Sequence, residues 1–147
     1  MTYLPMQNTS VPVAKSMAEI QQMLIGAGFE SVMQGVFRGQ AVILAEYRGA
    51  AHRFIPNTGL VKEALRAGKL YYDEERTERI AWRLIWQKVK SDCDVLKYQA
   101  VPLSTVFGGF LIMRSGNTLG EYIEEKVSQG QLNSSDILSP LLIENKG

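Results

Sequence analysis

The stretch that decides the fold runs from Ser31 to Ile55 and reads SVMQGVFRGQAVILAEYRGAAHRFI. It holds three short apolar-rich runs, Ser31–Phe37, Ala41–Tyr47 and Ala50–Ile55. Arg38-Gly39 and Arg48-Gly49 separate them. Gaps this short between strand-like runs suit tight hairpins, and a glycine supplies the positive φ that such turns need. The stretch therefore predicts an antiparallel meander, which Pro56-Asn57 ends.

Downstream, Leu60 to Ala67 reads as a short helix stopped by Gly68. Asp73 is placed to cap the longest helix, from about Glu74 to Tyr98. On it Trp82, Ile85, Trp86, Val89, Cys93 and Leu96 recur at three- and four-residue steps and share one face. This helix is expected to lie across the sheet. Pro102 breaks the chain, and Ser104 is a candidate cap for a short helical turn with Val106, Phe107 and Phe110 inward. Leu111–Met113 is a candidate edge strand, and Ser115-Gly116-Asn117 signals a turn. Leu119, Tyr122, Ile123 and Val127 mark a last helix, ended by Gly130.

Upstream, Pro5 and Pro12 oppose helix, so residues 1–14 read as an extended arm. Ser16 and Glu19 have capping-box spacing, ahead of a helix over about 17–26 with Met17, Ile20, Met23, Leu24 and Ala27 on one side. The expected class is α+β. A meander of three or four strands packs against one long helix and two or three shorter ones. The organisation is an arm (1–14), one domain (15–130) and a tail (131–147) whose Ile137, Leu138, Leu141, Leu142 and Ile143 can dock on the domain or on a partner.

A chain of 147 residues is the size of one domain, and at 46% hydrophobic it can bury a full core. The lone Cys93 excludes an internal disulfide and suits the cytoplasm. With one His and one Cys, a zinc site of about four such ligands is close to excluded. No apolar run approaches the roughly 18 residues of a membrane span, and no export signal is visible at the start. Net charge is +1, too small for a general polyanion binder. The charge is unevenly spread, though: residues 1–90 carry twelve Lys/Arg against eight Asp/Glu. Any basic surface must come from that part.

Few residues suggest chemistry. His52 lies in a strand without a carboxylate or nucleophile in a local motif, and reads as structural. Cys93 sits on the apolar helix face between Asp92 and Asp94, which disfavours a thiolate. Asp73, Glu74, Glu75 and Glu78 cluster, but carboxylates in a first helical turn are favoured by the helix dipole, and Glu75 is spaced to pair with Arg79. Neither Gly26-Ala27-Gly28 nor Gly108-Gly109 has the context of a nucleotide-binding loop.

Two features point to recognition instead. In the meander, aromatic and basic residues are adjacent three times: Phe37-Arg38, Tyr47-Arg48 and Arg53-Phe54. Aromatic faces that stack on bases and cations that meet phosphates are how single strands are commonly held. Adjacent strand residues face opposite ways, so these side chains share a surface only where the arginines lie in turns. On the long helix, Arg76, Arg79, Arg83, Lys90 and Lys97 form a charged stripe. It could follow a phosphate backbone or an acidic partner, or be a solvated face.

Arg79-Ile80-Ala81-Trp82-Arg83, then Phe107 to Ile112, then Gly116-Asn117-Thr118-Leu119-Gly120-Glu121-Tyr122 resembles a group of small phage and prophage proteins. In that group an R-x-A-W-R helix precedes an F-L segment and a G-x-T-x-x-E turn into a final helix. Ser10-Val11-Pro12-Val13, Ser16-Met17-Ala18-Glu19-Ile20 and Arg53-Phe54 match loosely, so the resemblance covers most of residues 10–125. The chain departs at Phe110-Leu111-Ile112-Met113, where the group tends to have F-L-P-Y. The resemblance implies a phage origin and a role in phage DNA metabolism or in blocking a host system. It carries over no functional residue.

The expectation is a nonenzymatic, cytoplasmic binding protein without cofactor or metal. Its first expected partner is single-stranded nucleic acid in phage replication or recombination, met by Phe37, Arg38, Tyr47, Arg48, Arg53, Phe54, Arg76, Arg79 and Arg83. The alternative is a protein-interaction module that inhibits a host defence or polymerase complex, and a second copy of the chain is a further candidate partner.

Overall fold

The structure, a computed structural model, describes residues 4–98 and 101–131. It is an α+β fold with one three-stranded antiparallel sheet in the order β1-β2-β3. The strands are β1 (Ser31–Phe37), β2 (Gln40–Tyr47) and β3 (Ala50–Phe54). Phe37 pairs with Gln40 and Tyr47 with Ala50, so each hairpin loop is two residues long. Arg38 and Gly39 have φ of 53° and 78°, and Arg48 and Gly49 have 50° and 79°. Positive φ at both central positions is the type I′ pattern, whose twist matches that of the flanking strands.

The helices are α1 (Val13–Ala27), α2 (Thr58–Ala67), α3 (Glu74–Lys97), α4 (Leu103–Val106) and α5 (Leu119–Ser128). A 3-10 turn covers Gly108–Phe110. Asp73 caps α3 as its position suggests, its Oδ1 accepting from the Arg76 N–H at 2.8 Å. In α1 the chain turns helical earlier than the Ser16 and Glu19 spacing suggests. Pro12 occupies the N-cap position, Ser16 is buried inside the helix, and Glu19 pairs with Arg83 at 3.5 Å. Proline's fixed φ suits a helix start, and burying the face of Met17, Ile20 and Leu24 favours the longer helix. Ser104 likewise lies inside α4, with Pro102 at the N-cap and no side-chain cap.

The expected extended arm is folded back where it is described. Gln7 N–H donates to Leu4 O, Arg76 holds Gln7 O at 3.2 Å, and Leu4 packs on the cluster between α2 and α3. An apolar residue and a guanidinium that accepts no bond but donates several outweigh the stiffness of the prolines. The tail apolar residues Ile137 to Ile143 lie outside the described residues.

The main core joins Ile20, Leu24, Phe29, Ile43, Phe54, Trp82, Val89 and Phe107. α1 lies on β1 and β2, with Gln21 and Gln34 bonded at 2.7 Å. α3 packs along α1 rather than across the sheet as expected. Three strands span only about 10 Å, roughly the diameter of one helix, so α1 fills that face and α3 takes its flank. A second cluster, Val61, Leu65, Ile80 and Ala81, joins α2 to α3. The expected edge strand at Leu111–Met113 is reduced to isolated bridges, His52 with Leu111 and Ile112 with Thr118. These bridges bring the start of α5 beside β3. Among the described residues no helix is long and apolar enough to cross a membrane.

Candidate functional site

Arg53 organises the site. It points to the sheet face opposite Phe54, because strand neighbours alternate. Only 5% of its side chain is exposed. Its Nη2 donates to Gly116 O at 3.0 Å and to Glu121 Oε1 at 3.2 Å, and its guanidinium lies 3.9 Å from the Phe37 ring centre. Its Nε is buried without a hydrogen-bond partner among the described residues. A buried charge without pairing costs several kcal/mol, so these contacts are what permit an arginine at this depth.

Glu121 is fixed from its own side. Thr118 and Glu121 form a capping box at the start of α5. Partial burial pushes the Glu121 carboxyl up, but hydrogen bonds from the Thr118 hydroxyl and N–H, with the Arg53 guanidinium, outweigh it and hold the group below its ordinary value. Around this pair opens a cleft of about 590 Å³. Phe37 and Arg38 of the first hairpin, Thr58 and Gly59 of α2, and Phe110 and Gly120 line it. Gln40, Thr58 and Gly59 also line a neighbouring cleft of about 660 Å³ that reaches Lys62, Tyr72 and Asp73. A third hollow, past Gly59, reaches Arg66. Gly59 lines all three, which adjoin as a trough around the first turn of α2.

The residues expected to bind nucleic acid are only partly brought together. Phe37, Arg38 and Arg53 share the first cleft. Arg38 is exposed in its turn, 4.9 Å from the Phe37 ring centre. Tyr47 and Arg48 belong to the other hairpin, at the opposite end of β2, roughly 25 Å away at about 3.4 Å per residue. Arg48 lies over the half-buried Tyr47 ring at 5.3 Å. Phe54 is fully buried and stacks on Phe110 at 4.4 Å, so no base can reach its face.

The α3 arginines are engaged internally. Arg76 holds Tyr71 O at 2.6 Å as well as Gln7 O, Arg79 pairs with Glu75 at 2.9 Å, and Arg83 pairs with Glu19 and lies 3.6 Å from the Trp86 ring centre. Arg76 ties the N-terminal segment to α3 and Arg83 ties α1 to it, while Arg79 pairs within α3, so the three do not form an open stripe.

His52 is buried edge-on to Phe29 at 5.2 Å, and its Nδ1 donates to Ala50 O at 3.1 Å, which puts the proton on Nδ1 because a carbonyl only accepts. Burial holds its pKa below the ordinary value. Cys93 packs with its Sγ 3.7 Å from Met23 O, and burial, then Asp92 and Asp94, push its thiol up. Of the acidic cluster at the start of α3, Asp73 caps the helix and Glu75 pairs with Arg79, while Glu74 and Glu78 line the neighbouring cleft.

Sequence reasoning missed Glu121, Lys62, Arg66 and Tyr72. Glu121 had a signal, since Thr118-Leu119-Gly120-Glu121 is the T-x-x-E spacing of a capping box. Lys62 and Arg66 had only the basic excess of residues 38–69, six Lys/Arg against two Asp/Glu, and Tyr72 had no signal; the packing of α2 on α3 brings the three to the trough. Compared with known protein families, curated proteins and solved structures, the chain matches none.

Proposed function

We propose that this chain is a nonenzymatic binding protein of phage type that holds single-stranded nucleic acid in the trough around the start of α2, in phage DNA replication or recombination. The observation that carries the reading is that cations sit beside rings at both ends of the trough. Arg38 and Arg53 accompany Phe37, and Lys62 lies 5.7 Å from the Tyr72 ring centre. Between them Gly59 leaves the floor without a side chain. Base stacking on such rings contributes roughly 1–3 kcal/mol per base, and the cations meet the backbone. Asp73, Glu74 and Glu78 border the Tyr72 end, which keeps the field moderate.

The test is fluorescence anisotropy of a short labelled single strand. With about three phosphates engaged, log affinity falls against log salt with a slope of about −2. Lys62→Gln flattens that slope, and Tyr72→Ala weakens binding without changing it. No binding at low salt rejects the reading.

One observation favours the alternative of a protein-interaction module directed at a host complex. α5 has no buried residue and leaves Tyr122, Ile123 and Val127 exposed along one side. Ile123→Glu abolishing recovery of a stoichiometric partner, with strand binding absent, selects that reading.

A further inference from the structure

Two helices begin at the same cleft. Thr58 and Gly59 are the first residues of α2, and Thr118 and Gly120 belong to the start of α5; all four line the hollow beside Arg53. First-turn N–H groups have no partner within their own helix. Asn57 Oδ1 accepts from Leu60 N–H, Thr118 Oγ1 from Glu121 N–H and Leu111 O from Leu119 N–H. Among the described residues no acceptor takes the N–H groups of Thr58, Gly59 or Gly120. Both helices are ten residues long, so each adds a partial positive charge at its start.

The second observation is Arg53. It is nearly buried and lines the cleft; its Nη2 is held by Gly116 O and Glu121, and its enclosed Nε has no partner among the described residues. Arg38, exposed and against the same Phe37 ring, adds a second guanidinium to the lining. Against these stands one carboxylate among the lining residues, Glu121. The cleft therefore holds two guanidiniums and two helix starts for a single acid. Glu121 supplies to Arg53 what an external oxyanion would supply.

We propose that this cleft is a phosphate site. One phosphate group is held by the N–H groups of Thr58 and Gly59 and by the guanidiniums of Arg38 and Arg53, and Glu121 is the counter-ion that it displaces from Arg53. Helix starts and arginine forks are the donor types that suit phosphate oxygens. The inference deepens the nucleic-acid reading, on which it rests for the source of the phosphate: a strand or a free nucleotide.

The test is titration of the full chain with inorganic phosphate, a nucleoside monophosphate and a short single strand, followed by the backbone amide signals of Thr58, Gly59 and Gly120. Saturable shifts at these amides are expected with phosphate and with the monophosphate. Glu121→Gln keeps the capping box, since glutamine also serves there, and removes the competing charge. It is expected to tighten phosphate binding by about fivefold, the effect of one weakened charge pair. Thr58→Pro removes one N–H at a helix position that tolerates proline, and is expected to bind phosphate about tenfold more weakly than Thr58→Ala, which keeps it. Thermal melts confirm that the variants fold.

Amides that do not move, or a Glu121→Gln affinity equal to that of the parent, overturn the phosphate site. A strand that binds Thr58→Pro as tightly as Thr58→Ala overturns it while the nucleic-acid reading stands. Phosphate and monophosphate that bind while the strand does not support the site and reject that reading.

Discussion

At residue scale, Arg53 and Glu121 show how one buried cation commits its surroundings. Arg53 is almost wholly inside, whereas 49% of the Glu121 side chain is exposed, so the pair is an inner charge held by an outer one. Screening makes the exposed partner's Coulomb contribution small, and the greater cost falls on Arg53 if the carboxylate is lost. The folded-state pKa of Glu121 is depressed, so its contribution is complete above the unfolded value of 4.5 and is lost as pH falls through the lower folded value. His52 adds an acid loss of its own. Its folded pKa is also lowered, so stability falls as pH drops below 6.5, where the unfolded chain takes a proton that the folded chain refuses. His52 is common to the parent and to Glu121→Gln and cancels in their difference. The melting temperature of the parent is therefore expected to exceed that of Glu121→Gln near neutral pH, and the gap to close as pH is lowered below the ordinary carboxylate range. A gap independent of pH removes Glu121 from the account.

At element scale, the two hairpins carry a local conflict. Type I′ turns favour Asn-Gly or Gly-Gly, yet arginine occupies the first central position of both, at φ of 53° and 50°. A non-glycine side chain in the left-handed region costs roughly 1–2 kcal/mol, and asparagine suffers less. At Arg48 the compensation is local: the guanidinium rests on Tyr47, and its N–H donates to Glu30 Oε1 at 3.0 Å. The backbone bond survives substitution. Arg48→Asn is therefore expected to raise stability by about 0.5–1 kcal/mol in urea titration. The arginine that strains the other hairpin, Arg38, lines the cleft beside Arg53.

At the scale of the whole molecule, Trp82 links the layers. It is completely buried in the cluster that joins α1, the sheet and Phe107, although its Nε1 has no hydrogen-bond partner among the described residues. Trp82→Ala is expected to cost about 3–5 kcal/mol, as large buried aromatics do. Trp82→Phe keeps most of the volume and removes the orphaned N–H, so its cost is expected to be clearly smaller. Comparable losses for the two variants, in denaturant titrations, contradict the packing role.

The parts legible in the sequence are those decided by neighbours along the chain. β1 runs over Ser31–Phe37 as its residues suggest, because β-propensity and the Arg-Gly turns act within a few residues. The same holds for the Asp73 cap and the apolar face of α3, where a hydroxyl or carboxylate and a 3.6-residue period are local causes. Ser16 misled for the opposite reason: burial of Met17, Ile20 and Leu24 outweighed a cap preference worth about 1 kcal/mol. Of the candidate site, Phe37, Arg38 and Arg53 could be named in advance, but not what each does. Phe54 went to the core and Arg53 into a buried pair because alternate strand residues face opposite sides. Only packing decides which side is covered, and here α1 covers one. The meeting of Arg53 with Glu121, 68 residues apart, is likewise tertiary. It depends on a bridge between β3 and the segment before α5, and such contacts follow from how helices and sheet share limited area, which no local pattern records.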